Sequence, residues 1–326
     1  MNRNVASQSM GLLAFVAALM LVPLWTRSAY VLNIGIFIGI HILLASSNRL
    51  ILKTGLWFMG HAAFFAIGVY ALLLARLFLG LNYWVAFPLA GIASGLVALG
   101  LGYATSRVKG VPFAIITIAF VEIVRLTIIK FGGGHPIKCP PPEALLTVNF
   151  TSKVHYYYFI LALVIGSFAF LARIERSRIG GAIAAIAATE SLAESLGIDT
   201  VRYRVVVMAA SCFVAGLAGA FFAPYVEVVG YSTFTLTASI LILFFVVIGG
   251  IDSLWGPVLG ATFMTVLPEF LPGSAAVQNI LNASILLGSL FFLPGGLITL
   301  PRVIRKRSLL TLPRLIKQRR MERIND

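Results

Sequence analysis

Glu190 and Glu194 stand four residues apart, the spacing that sets two side chains together on one face of a helix. They lie in the stretch 173–204, which Arg173, Arg176 and Arg178 open and Arg202 and Arg204 close. A second charged pair, Glu122 and Arg125, falls three apart inside an apolar run, so the two can face each other. Each charge left unpaired there would cost about 2.5–3.5 kcal/mol on insertion scales. The pair is a candidate for a gate or substrate contact in a translocation path, and equally for a structural ion pair at a helix interface. Gly249 and Gly250, with Asp252, Gly256 and Pro257, suit either tight helix packing or a short broken helix near such a path. His61, among Gly60, Ala62 and Ala63, suits a cap or an interhelical hydrogen bond.

Enzyme chemistry finds no footing. The sequence holds no G-x-x-x-x-G-K-[ST] loop for ATP, no H-E-x-x-H and no G-x-S-x-G nucleophile elbow. His41, His61, His135 and His155 are scattered, so no metal site and no cofactor is expected in this chain. Cys139 and Cys212 are too few for a metal cluster, and Cys212 falls inside an apolar run, which argues against a disulfide between them.

The elements that must position these residues are membrane helices. Hydrophobic residues make up 60% of the chain, charged residues only 11%, and the mean hydropathy is +0.98. A soluble chain carries roughly a quarter charged residues. Apolar runs long enough to cross about 30 Å of hydrocarbon recur, continuous rather than alternating, which favours helices over a barrel. The pattern predicts an all-α polytopic membrane protein with about ten transmembrane helices, near 10–26, 29–46, 57–79, 84–104, 111–130, 155–172, 203–223, 235–250, 255–271 and 279–299. Residues 1–300 form the transmembrane domain and 301–326 a basic tail. The spans 29–46 and 255–271 are short, and the latter contains Pro257 and Pro268. The apolar N-terminal run has no A-x-A-like cleavage site and reads as a retained first span.

Basic residues set the orientation. With both termini placed in the cytoplasm, 19 of the 25 Lys and Arg residues fall on the inside, which obeys the positive-inside rule. The same placement explains the net charge of +14 without nucleic acid, for which no recognition motif is present. The nine basic residues of the tail suit anchoring on anionic lipid.

The stretch 173–204 is then the one long cytoplasmic segment inside the chain. Ser177 is placed to cap the start of a short helix and Gly197 to be the left-handed residue after its end, followed by Ile198. At helical spacing Ile179, Ala182, Ile183, Ile186, Ala193 and Leu196 line one face, with Glu190 and Glu194 on a neighbouring one. A helix resting on lipid headgroups would carry Lys and Arg. Residues 179–201 contain none, so a protein partner is the better fit.

Five motifs occur in order: GHAAFFAIGVY (60–70), KGVPFAIITIAFVEIVRL (109–126), ESLGID (194–199), AGLAGAFFAP (215–224) and GGIDSLWGPVLGA (249–261). Together, over roughly two-thirds of the chain, they resemble the LivM-type inner-membrane permeases of ABC importers for branched-chain amino acids. The resemblance implies a non-enzymatic permease subunit of the bacterial inner membrane that forms half of a translocation path. It implies a second permease subunit, two cytoplasmic ATPase subunits that bind the ATP, and a periplasmic substrate-binding protein. It makes 173–204 the coupling loop and Ile183, Ile186, Glu190, Glu194 and Gly197 the residues that meet the ATPase. The chain departs from the family pattern in carrying Ala187, Ala188 and Thr189 where charged residues are usual, and in the loop HPIKCPPP (135–142). Similar permeases carry urea or short-chain amides, which are alternative cargoes. An ion-coupled secondary transporter would instead need carboxylates in the membrane, for which Glu122 and Glu269 are the candidates.

Overall fold

A computed structural model describes residues 28–105, 108, 110–132, 135–143, 152–270 and 284. The expected span 10–26, all of 279–299 but residue 284, and the basic tail 301–326 lie outside the described residues. In chain order the helices are α1 (Ala29–Leu52), α2 (His61–Leu77), α3 (Tyr83–Thr105), α4 (Gly110–Gly132), α5 (Lys153–Arg176), α6 (Arg178–Ala188), α7 (Glu190–Ser195), α8 (Thr200–Val226), α9 (Leu236–Gly249) and α10 (Gly256–Phe270). Two strands, β1 (Ile137–Lys138) and β2 (Val228–Val229), pair antiparallel, Ile137 opposite Val229 and Lys138 opposite Val228.

Among the described residues six stretches are long and apolar enough to cross a bilayer: Ala29–Leu52, Tyr83–Thr105, Gly110–Phe131, Lys153–Arg176, Thr200–Val226 and Tyr231–Gly249. The expected span at 57–79 is a 17-residue helix, and that at 255–271 one of 15 residues. The expected short span at 29–46 instead runs on to Leu52 as a 24-residue helix. Hydropathy had set its end too early because Ser46, Ser47, Asn48 and Arg49 are polar; they remain helical because every one of them is buried against neighbouring helices.

Helices α1 and α8 form the centre. α1 packs on α5, α8, α9 and α10, and α8 packs on α2 and α3. Small residues let α2, α3 and α8 approach to backbone contact, as helices in lipid commonly do. A Cβ on Gly68 would run into the backbone of Gly216, one on Gly219 into that of Phe65, and one on Gly216 into Ser94. The Ser94 hydroxyl lies 2.8 Å from the Cys212 carbonyl oxygen and 3.1 Å from that of Phe64, joining the three helices. Within α8, Pro224 has no N–H to give the Ala220 carbonyl one turn back. The Tyr83 hydroxyl donates to that oxygen instead, at 3.4 Å. Among the described spans α4 is the least enclosed, with 22% of its window buried against 67% for α8.

The two ends of the bundle differ. At one, the C-termini of α1 and α5 meet the turn between α9 and α10, and α6 and α7 lie between α5 and α8. At the other, the β1–β2 pair and the loop 135–143 close over α2 and α3.

Candidate functional site

The segment 173–204 is built from local capping rules. The Ser177 hydroxyl accepts from the Ile179 N–H (3.2 Å), starting α6, and donates to the Ile174 carbonyl (2.7 Å), finishing α5. A side chain at position 180 would collide with the Glu175 carbonyl, so the turn between α5 and α6 needs Gly180. α7 ends as the sequence predicts. Gly197 adopts φ +79°, its N–H donates to the Glu194 carbonyl (2.9 Å), and the Ile198 N–H reaches the Ala193 carbonyl (3.1 Å), a Schellman motif. Asp199 then caps α8 by accepting from the Arg202 N–H at 3.0 Å.

The expected single helix is two. Thr189 is extended, at φ −158° and ψ 106°, and separates α6 from α7. Its hydroxyl donates to the Ala188 carbonyl (2.7 Å), so a β-branched residue with a competing donor breaks the run. Beyond the break the expected inward face is kept only in part. Ala182, Ile183, Ile186 and Ala193 face inward as expected, whereas Leu196, expected beside them, is 72% exposed, and Leu192, one turn before it, is 59% exposed. Ala184, Ala187, Ala188 and Thr189 are exposed as well. The outer surface of α6 beyond Arg178 is therefore small and largely apolar, and that of α7 mixes Leu192 and Leu196 with Ser191, Glu194 and Ser195.

Both carboxylates bind within the chain. Glu190 accepts from two nitrogens of the Arg204 guanidinium, at 2.5 and 3.1 Å, tying the first turn of α7 to α8. Glu194 Oε1 accepts from the Thr200 hydroxyl at 3.0 Å. The five residues expected at the docking face thus divide: Ile183, Ile186 and Glu190 hold the segment to the bundle, Glu194 bonds to the start of α8, and Gly197 shapes the end of α7, while Leu192 and Leu196, outside that set, form the exposed edge.

A second constellation lies at the root of this segment. Glu175, in the last turn of α5, accepts from Arg49 at 2.9 and 3.4 Å and pairs with Lys53. Arg49 also donates its Nε–H to the Ile251 carbonyl at 2.7 Å, in the turn between α9 and α10. Sequence reasoning missed these residues. The available signal was Arg49 and Lys53 at a four-residue spacing near a span end, and a lone glutamate among arginines.

The remaining candidates fall elsewhere. Arg125 Nε donates to both Glu122 oxygens, at 3.0 and 3.1 Å, and the two side chains are 26% and 46% exposed on α4. Gly249 is buried where a side chain would meet the Gly256 backbone, and Gly250 ends α9 at φ +108°. His61 makes the interhelical hydrogen bond its neighbours suggest, Nε2 lying 2.7 Å from the Ser47 hydroxyl.

At the opposite end the loop 135–143 is held in place. Arg76 donates to the Pro141 carbonyl (3.1 Å) and pairs with Glu143 (2.6 Å). Glu143 accepts the Tyr83 N–H (2.7 Å), so a carboxylate sixty residues further on caps α3. Partial burial pushes the Glu143 carboxyl up, but backbone N–H groups and the Arg76 guanidinium outweigh it and hold the carboxyl below its usual range. Cys139 is buried and free, its thiol pushed up to about 11 by burial, and Cys212 is buried and free as well.

The family described as the permease component of the branched-chain amino acid transport system matches residues 30–293. The chain belongs to this permease family. Two curated relatives, both high-affinity branched-chain amino acid transport system permease proteins named LivM, from Salmonella typhimurium and Escherichia coli, are 27% identical over 282 residues. The alignments, gaps included in their length, cover 78% of this chain, which spans 66%, just under two-thirds, of each relative's length. No solved structure matches the chain significantly. The family match takes in every helix described above except the first residue of α1, including the split segment α6–α7 and the Arg49–Glu175 constellation.

Proposed function

We propose that the chain is a non-enzymatic permease subunit of an ATP-driven importer for branched-chain or related amino acids. It forms half of the translocation path, with a second permease subunit forming the other half. Two cytoplasmic ATPase subunits bind the ATP, and a periplasmic protein delivers the substrate. The chain crosses the bacterial inner membrane about ten times with both termini in the cytoplasm. The end that carries Arg49, Lys53 and the arginines of 173–204 faces inward, in keeping with the positive-inside rule.

One observation carries the coupling role. Leu192 and Leu196 stand exposed at the end of a segment whose own carboxylates are turned back to fasten it to α8. A fastened apolar edge outside the bilayer suits a groove on another protein, and movement of that groove would move α5 and α8. Glu122 and Arg125 lie on the least covered span, where a charged pair is costly against lipid, and we place them toward the water-filled path between the two permeases.

The test is reconstitution of the chain in liposomes with its paired permease, ATPases and binding protein. Leucine, urea and a short amide are compared for ATP-dependent uptake. Stimulation by leucine supports the reading, and stimulation by urea or the amide alone replaces the cargo. Uptake by this chain alone under an ion gradient would overturn it.

A further inference from the structure

Arg49 is 3% exposed, yet it binds two separate parts of the chain. Its terminal nitrogens reach Glu175 at 2.9 and 3.4 Å, and its Nε–H reaches the Ile251 carbonyl at 2.7 Å. A guanidinium suits this because it is planar, always charged and offers donors on more than one edge. Glu175 is two residues before Ser177, the cap that starts α6, and its own carbonyl sits against Gly180 in the first turn of α6. Ile251 opens the turn that joins α9 to α10, next to Gly250 at φ +108°. Arg49 itself belongs to α1, the helix that packs on α5, α8, α9 and α10. A single buried cation therefore connects the root of the segment 178–197 to the centre of the bundle and to the hairpin of α9 and α10.

The side-chain hydrogen bonds of α7 described above lead instead to α8. Glu190 and Glu194 bind Arg204 and Thr200, both on α8. Lys53 shares the Glu175 carboxylate from the same face of α1, one turn beyond Arg49, and its side chain is 29% exposed. Glu175 thus accepts from two cations, and of these Arg49 alone goes on to the α9–α10 turn among the described residues.

We infer that Glu175 and Arg49 are positioning residues for energy coupling, carrying displacement of α6 and α7 to the turn between α9 and α10 through the Ile251 carbonyl. The inference rests on the assignment of 178–197 as the surface that docks on the ATPase. Neither residue touches nucleotide or substrate. Their effect is on the ratio of substrate moved to ATP hydrolysed, which a purely structural ion pair would not change.

The experiment uses the whole importer in liposomes, with radiolabelled leucine uptake and phosphate release measured together. Glu175→Gln is expected to leave ATP hydrolysis within about twofold of the unaltered importer and to lower leucine moved per ATP at least tenfold. Arg49→Lys keeps the charge but loses the Nε–H that holds Ile251, and is expected to lower the ratio by roughly three- to tenfold. Lys53→Met, at the more exposed member, weakens the same carboxylate and keeps the test open if the buried variants do not assemble; a two- to threefold fall is expected. An unchanged ratio in the variants that assemble overturns the inference, as does a parallel loss of uptake and hydrolysis. Leu192→Glu with Leu196→Glu is run alongside. If that double variant uncouples and Glu175→Gln does not, the docking assignment stands and the link fails. If the double variant leaves coupling intact, the docking assignment itself fails.

Discussion

The pairing of Glu190 with Arg204 places two charges where water reaches poorly, at 20% and 9% side-chain exposure. Removing one partner leaves the other desolvated and unmatched. Glu190→Gln is expected to cost about 1–3 kcal/mol, lowering the melting temperature in detergent by about 2–6 °C. Glu190→Leu with Arg204→Met, which removes both charges, should recover most of the loss. Glu143 offers a titration test. Its folded carboxyl lies below the ordinary value of 4.5, so its contribution is complete above that pH and disappears as pH falls through the lower folded value. The carboxylate is 42% exposed, and screening limits Glu143→Gln to about 1 kcal/mol at pH 7. The difference in melting temperature from the unaltered protein should shrink as pH falls below the ordinary carboxyl value. Residues such as Ser177 and Gly197 were legible because a cap is decided within four residues of itself. Arg49, Glu175 and Ile251 were not, being brought together across 126 and 202 positions by the packing of whole helices.

Among elements, α2, α3 and α8 depend on having almost nothing between them. Gly68→Val would drive a branched side chain into the Gly216 backbone, which cannot withdraw without parting two helices. The expected cost is at least about 3 kcal/mol, read as loss of the folded peak in size-exclusion chromatography and a lower melting temperature. Gly181→Ala is the matched control: its site in α6 is open space, and the change should stabilise by up to about 1 kcal/mol. The apolar runs announced the long helices, since length and hydropathy are enough to identify a span. The division of α6 from α7 was hidden, because a single β-branched residue such as Thr189 lowers helix propensity by only a fraction of a kcal/mol and many helices tolerate one. Leu196, expected inward, is instead the exposed C-cap residue of the short α7, whereas Ala193 keeps its inward place.

For the whole molecule, orientation is the property that most directly tests the assignment. The two native cysteines are buried, so they leave a quiet background for labelling. Leu196→Cys should react with a membrane-impermeant maleimide in inside-out vesicles and be protected when the ATPases are bound. Lys138→Cys, exposed at the opposite end, should react in right-side-out vesicles only. The reverse pattern would invert the topology. That opposite end also has a history in time. A chain is made from its N-terminus, and although Asn82 accepts from Trp84 at once, the Tyr83 N–H of α3 meets its acceptor, Glu143, only after α4 and the β1 strand have been synthesised. The hairpin of α2 and α3 can therefore form early but is sealed late, and a ribosome stalled before position 143 would hold a nascent chain in which this end of the hairpin is still open.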